Sequence, residues 1–388
     1  MTERCDVAIA GGGPVGLLLG CLLTQQGLSV QVLEQHLSRR EHSRAVGVHP
    51  PGLACLARAG AAEHVLSRAV RVRRAFAFGD GSTLGQLSFD TLPGPYPFVL
   101  TVPQSETERA LERRLFSLSD RALRRGERIL ACKPEEDGVH LTLGASQTFA
   151  EEPPRELRAR FVVGCDGKQS AVRQALGIAF KGGPYREHFV MADTADETSF
   201  ADAAAVFLTR AGLVESFPLP GSIRRWVVGL GAQAREASPA LVEQLVRERT
   251  GELARASTAR MSSAFTAEHY LADRFTRGRV ALAGDAAHVI SPIGGQGMNL
   301  GWLDVALLSE VLVQALARPA KATRLLEQYG RARRTAAKVA MRRAELFMAI
   351  GQARHLVRLR DLTIRGALSP WLVGRAAELF TMQGLAST

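Results

Sequence analysis

CDVAIAGGGPVGLLLGCLLTQQGLSVQVLE, running from Cys5 to Glu34, decides the fold. Cys5 to Ala10 is a short apolar run of β character, and Gly11-Gly12-Gly13-Pro14-Val15-Gly16 is a turn. Leu17 to Gln26 is small and aliphatic, as in a buried helix, and Gly27 ends it. Leu28 to Leu33 supplies a second strand, closed by Glu34. Strand, helix and strand in that order make a βαβ unit with a parallel pair. Within it Gly11, Gly13 and Gly16 form GxGxxG. Glycine permits the tight turn and the close approach of backbone to a pyrophosphate, whose charge faces the helix N-terminus. Glu34 lies 23 residues after Gly11, where a carboxylate accepts hydrogen bonds from the ribose hydroxyls of an adenosine. The fingerprint predicts dinucleotide binding and leaves the choice between NAD and FAD open.

Two further stretches carry related chemistry. Val280 to Ala283 reads as a buried strand that runs into Gly284-Asp285-Ala286-Ala287-His288. Pro292-Ile293-Gly294-Gly295-Gln296-Gly297-Met298-Asn299 follows, and then a helix. An Asp at a strand end can bind the hydroxyls of a linear polyol. The Gly-rich turn brings backbone N–H groups close to a planar ligand, and the helix N-terminus stabilises negative charge on it. Phe161 to Cys165 is another short strand, with Asp166-Gly167, Ser170 and Arg173 after it. Between these stretches the pattern changes. Ala204 to Leu208 and Trp226 to Leu230 read as antiparallel strands between Gly and Pro turns, and Thr83 to Val102 alternates like β structure. Ser105 to Leu118 reads as a helix, with Ser105 as cap and Glu108 closing a capping box. Helices dominate from Asn299 onward.

GDAAH followed by PxxGQGxN resembles the ribityl-binding motif of the para-hydroxybenzoate hydroxylase superfamily of FAD-dependent monooxygenases. The Asp166-Gly167 turn resembles that family's motif for the flavin and the nicotinamide cofactor. The three motifs stand in family order, and the resemblance runs from about Cys5 to Leu308. It implies an α/β fold: a Rossmann-like FAD-binding domain with an inserted β-rich substrate domain and a helical C-terminus. The expected FAD-binding segments are 1–75, 103–180 and 276–330; substrate-domain segments are 76–102 and 181–275; a C-terminal helical region covers 331–388. The implied cofactor contacts are Gly11, Gly13, Pro14, Gly16, Glu34, Gln35, Arg44, Gln104, Asp166, Arg173, Gly284, Asp285, Pro292, Gly295, Gly297, Met298 and Asn299. The resemblance also implies that NAD(P)H reduces FAD, that O2 reacts at flavin C4a, and that an aromatic or lipophilic small molecule is hydroxylated or epoxidised. Two other activities share FAD binding. A reductase of the geranylgeranyl type would reduce a prenyl alkene without consuming O2. A halogenase would carry a Trp-x-Trp-x-Ile-Pro stretch, which Trp226, Trp302 and Trp371 do not form.

The substrate is expected between the turn at 292–297 and the β-rich region, with walls at Val206–Val214 and Phe217–Leu219. Polar candidates there are His49, Tyr185, His188 and Arg210, although the flavin carries the hard chemistry and no obligatory base is marked. Arg39 and Arg40 follow the second strand, where guanidinium groups can pair with a 2′-phosphate of NADPH. Five cysteines stand singly, without CxxC or Cys/His spacing, so no metal site is expected.

The net charge of +11 is concentrated: from Val311 onward 14 Lys and Arg face 4 Asp and Glu. That region has no aromatic platform or nucleic-acid motif, which argues against nucleic-acid binding. Two readings remain. One is an amphipathic helix packed on the flavin domain with a solvated basic face. The other is a peripheral contact with an anionic membrane, useful for a greasy substrate. Val339, Leu346, Ile350 and Val357 fit both, and Trp371 to Leu385 loosely resembles the tails of ubiquinone-biosynthesis hydroxylases. There is no run of 18 uncharged apolar residues, and the N-terminus lacks the basic n-region of a signal peptide. The expected location is cytoplasmic, with a peripheral place on the inner face of the membrane as the alternative.

Overall fold

The computed structural model describes residues 3–39, 45–145, 153–352 and 357–385. Arg40, Ser43 and Arg44, expected near the cofactor, lie outside the described residues. Strands Glu3–Ala10 and Val30–Glu34 pair in parallel on either side of the helix Pro14–Gln25. Parallel pairing continues outward on both sides, to Arg155–Gly164 and Val280–Leu282 on one and to Leu123–Arg125 on the other. Among the described residues this makes one eight-stranded sheet, completed by antiparallel strands Glu127–Pro134, Val139–Ala145 and Thr276–Arg277.

The Pro14–Gln25 helix is apolar nearly all round because it is buried nearly all round, from Gly16 to Leu23. It packs against the helices Gln104–Leu118 and Gly297–Ala317 as well as the sheet. The Gly297–Ala317 helix is long and apolar enough to cross a membrane by length and composition, but 61% of its most apolar window is buried inside the protein. Its Trp302 Nε1 donates to the Pro14 carbonyl at 3.0 Å, tying the C-terminal part of the chain to the N-terminal turn.

A second eight-stranded sheet holds Arg74–Gly79, Ser82–Ser88, Phe180–Ala195, Ala204–Thr209, Gly212–Leu219, Ile223–Gly231, Met261–Ala272 and His288–Val289. The period-two alternation of its strands gives it two faces. Phe207, Val214, Trp226 and Val228 pack on Val242, Leu245 and Val246 of the helix Pro239–Thr250. Ser238 caps that helix by accepting from the Leu241 N–H, and Gly251 closes it in the left-handed conformation, at φ +76°. The other face carries Met191, Leu208, Leu213 and Val227, and turns toward the first sheet.

Two local expectations are corrected. The helix expected to begin at a Ser105 cap begins at Gln104, with Pro103 in the cap position and no side-chain cap. Glu108 does not close a capping box; it accepts from Gln104 Nε2 at 2.7 Å. Of the apolar residues read in the basic tail, Ile350 faces the interior of the protein and Leu346 is exposed.

Candidate active site

The two sheets and the C-terminal helices enclose one continuous cavity of about 1230 Å³. At one end lie Gly11, Gly13, Pro14, Glu34, Gln35, Gln104 and Asp166. Asp285, Pro292, Gly295, Gly297 and Met298 line its middle, and the inner face of the second sheet closes the far end. Twelve of the residues expected to hold a cofactor are therefore brought to one surface from four separate stretches of chain.

Gly11 sits at φ +99°, and a Cβ there would lie 2.4 Å from the Cys165 carbonyl oxygen. Only glycine lets the first strand turn beside the Asp166 strand. A Cβ on Gly16 would lie 2.0 Å from the Gly11 carbonyl oxygen, so the helix packs on the strand only without a side chain. Gly13 occupies the cap position with no side-chain cap, and Pro14 follows. The first-turn N–H groups thus face the cavity without a side-chain acceptor, an arrangement suited to a pyrophosphate.

Glu34 accepts the Gly12 N–H at 2.7 Å and the His36 N–H at 2.8 Å, one on each carboxylate oxygen. Each oxygen keeps a second lone pair. Asp166 accepts the Val172 N–H at 3.2 Å on one oxygen, while its other oxygen is buried without a partner. Burial raises its pKa, opposed by hydrogen bonds from Ser170 and nearby backbone. Asp285 lines the cavity and is solvent-accessible, although protein surrounds it closely. Burial raises its pKa and the nearby His288 opposes the shift. It accepts no hydrogen bond from the described residues. These unsatisfied acceptors, the bare helix N-terminus and the length of the cavity fit a flavin dinucleotide.

The turn after Asp285 is held from behind. Asn299 accepts the His49 N–H at 2.9 Å and donates to the Gly47 and Gly295 carbonyls at 3.0 and 2.9 Å. Its whole amide is thus given to protein partners, and it lies behind the lining. The Gly297–Ala317 helix has no side-chain cap at Gln296, so its N-terminus is open toward Gly295 and Met298. Arg173 also stands behind the wall: it donates to the Ala286 and Lys168 carbonyls at 2.9 and 2.7 Å and stacks 3.8 Å from the Phe180 ring centre. Gly284 is buried there too, its N–H donating to Asp304 at 3.1 Å.

Of the polar candidates for the substrate end, only His49 lines the cavity. Its Nε2 lies 2.9 Å from the Gly294 carbonyl, which can only accept, so Nε2 carries the proton. Burial lowers its pKa to about 4, and its Nδ1 is closed off without a partner. The neutral ring braces the turn and presents no base to the cavity. Tyr185 donates to Glu345 at 3.2 Å, His188 Nδ1 lies 3.0 Å from the Thr266 hydroxyl, and Arg210 pairs with Asp80 at the surface. These three are outside the lining.

Arg39 lines the cavity but pairs with Glu112 at 2.6 Å. Three features escaped the sequence reading. Asp304 is buried and receives His288 Nε2 at 2.6 Å, Arg333 Nε at 2.8 Å and the Gly284 N–H. Arg225 lines the second-sheet end of the cavity, gripped by both oxygens of Asp193 at 2.6 and 2.7 Å. Glu215 lines it as well. A charge in a strand gives no sign of which face it takes until the register is known.

A family model described as an FAD binding domain matches residues 4–344. The chain is 35% identical to rifampicin monooxygenase of Streptomyces venezuelae over 306 residues, 77% of this chain and 62% of that protein. It is 33% identical over 345 residues to 12-dehydrotetracycline 5-monooxygenase/anhydrotetracycline 6-monooxygenase of Streptomyces rimosus, covering 85% of this chain and 67% of the relative. The chain thus spans roughly two thirds of the length of these curated relatives, and slightly less of the first. The crystal structure of p-nitrophenol 4-monooxygenase from Pseudomonas putida superposes with a TM-score of 0.87 at 25% identity, over 99% of both chains.

Proposed function

The chain belongs to the FAD-binding-domain family, within the para-hydroxybenzoate hydroxylase superfamily, and from that premise we propose that it is a monooxygenase using NAD(P)H and O2 to hydroxylate or epoxidise an aromatic or lipophilic small molecule. The observation that carries this reading is the continuity of the cavity from the dinucleotide cradle to the apolar face of the second sheet. When bound, FAD supplies the transfer of electrons to O2 and the insertion of one oxygen atom. The chain's own residues bind, orient and exclude water. The Gly13–Gly16 turn offers N–H groups to the pyrophosphate, Glu34 offers lone pairs to the adenosine ribose, and Asp285 accepts from ribityl hydroxyls. The open N-terminus of the Gly297–Ala317 helix would favour negative charge on a flavin held beside it. Apolar walls at Val206, Leu208, Leu213 and Phe217 hold the substrate in a dry site. Relatives that include a rifampicin and a tetracycline-series monooxygenase support a polyketide-like or phenolic substrate.

The test is release and chromatography of the bound cofactor, followed by oxygen-electrode assays with phenols, quinolones and prenylquinone precursors. FAD together with substrate-dependent consumption of O2 and NAD(P)H supports the reading. FMN or no flavin overturns it, and substrate reduction without O2 uptake favours the alkene reductase. A finer reading adds a peripheral membrane contact to a cytoplasmic enzyme. Its support is the exposure of apolar Leu359, Leu362 and Trp371 in the same stretch of chain as exposed Arg358, Arg365 and Arg375.

A further inference from the structure

Across the inner face of the second sheet, strand pairing sets Ala77, Val206, Glu215, Val227 and Met191 in one row. All five line the cavity, and Glu215 stands at the centre of the row. It is 7% exposed and makes no hydrogen bond or ion pair with the described residues. A carboxyl among methyl and methylene groups loses hydration without recovering it in a protein contact, and an apolar residue there would make a more stable wall. Burial alone raises its pKa, to about 7. The row beside it holds a charged pair, Arg225 gripped by the two Asp193 oxygens. The guanidinium is therefore committed to protein, and the acceptor open to a ligand on this face is a carboxyl.

We propose that Glu215 is a specificity-determining residue, which accepts a hydrogen bond from a hydroxyl or amine on the substrate ring and so selects phenols and aryl amines over aryl carboxylates. The inference rests on the monooxygenase reading for the identity of the cavity as a substrate site. A donor on the ring satisfies the acceptor that Glu215 leaves open. A ring carboxylate would bring a second negative charge against it in a low-dielectric site, where like charges repel strongly. The same logic disfavours a methyl ether, which fills the space and leaves the carboxyl unpaired.

The test uses the FAD-loaded full chain and three rings of similar size: 1-naphthol, 1-methoxynaphthalene and 1-naphthoate. Dissociation constants are measured by calorimetry for wild type, E215Q and E215L, with FAD content as the check that each variant is folded. In wild type, naphthol is expected to bind about tenfold more tightly than the methyl ether, and naphthoate the most weakly. In E215L the naphthol advantage disappears and naphthoate gains. In E215Q the amide oxygen keeps part of the naphthol advantage, while naphthoate gains as in E215L. Tighter binding of naphthoate than naphthol by wild type overturns the proposal, as does an unchanged naphthol-to-ether ratio in FAD-replete E215L. So does an FAD-replete wild type that binds none of the three. Failure of the monooxygenase reading looks different: the rings bind in the expected order, but no naphthol-dependent NAD(P)H oxidation yields an oxygenated product.

Discussion

At the scale of single residues, two carboxyls in one cavity do different things because their surroundings differ. Asp285 stands at the end of a strand beside the open N-terminus of a helix, and Glu215 stands in an apolar sheet face. Removing Asp285 takes an acceptor from the middle of the cavity. Asp285→Ala is expected to weaken FAD retention roughly 5- to 150-fold, from about 1–3 kcal/mol for the groups left unpaired. Equilibrium dialysis of the apoprotein with FAD measures this, and full occupancy in the purified variant would contradict it. Glu215 makes a prediction about pH. Its folded pKa of about 7 stands above the ordinary 4.5, so the folded state holds the proton more tightly. The contribution to stability is complete below about 4.5 and is lost as pH rises through about 7, roughly 3 kcal/mol in all. E215Q cannot ionise. Its melting temperature should exceed that of wild type at pH 8 and match it near pH 4.5, and a constant difference across that range would remove the pKa argument. Glu215 was invisible in the sequence for a physical reason. It falls between the wall stretches 206–214 and 217–219, and a Glu between strand residues reads as a solvent-facing position. Only the pairing of Val206 with Glu215 and of Glu215 with Val227 turns it inward.

At the scale of elements, the nucleotide-binding parts were legible because each needs a fixed local grammar. The β-strand, glycine turn and helix from Glu3 to Gln25 follow from spacing alone, with shifts of a few residues at the ends. The Gln104–Leu118 helix shows where local grammar fails. Pro103, at φ −56°, takes the cap position two residues before Ser105, so Ser105 falls inside the first turn. What holds the elements to one another was not legible at all. Asp304 joins the GD turn, His288 and the Ala322–Gln352 helix through one buried carboxylate. Burial pushes its pKa up, but His288 and Arg333 together bring it below the usual carboxylate range. Asp304→Asn would leave the Arg333 charge buried without its counter-charge. A loss of about 3–5 kcal/mol in unfolding free energy is expected by urea titration. A change under about 1 kcal/mol would show that the buried network carries little of the stability.

At the scale of the whole molecule, the basic tail divides in two. Arg333 and Arg360 are buried and bound to protein, as an amphipathic packing helix requires. Phe347, Ile350, Ile364 and Phe380 from the same region line the cavity, so the tail helps to close it. Arg358, Arg365 and Arg375 are exposed, and so is Trp371, at 92%. Each basic group near an anionic surface contributes roughly 1 kcal/mol. Sedimentation with anionic vesicles at low salt should pellet the protein, with less pelleting at moderate salt and in Trp371→Ala. No pelleting with anionic vesicles at low salt would leave the tail as a packing element alone.

The most direct measurement at this scale is the fate of oxygen. The FAD-loaded protein is incubated with NAD(P)H and an accepted phenolic or polyketide-like substrate under isotopically labelled O2, and the product is weighed by mass spectrometry. One labelled oxygen atom in the organic product, and none when labelled water replaces labelled O2, is the expected result. A product reduced without added oxygen, or one whose oxygen comes from water, would contradict a monooxygenase built on this cavity.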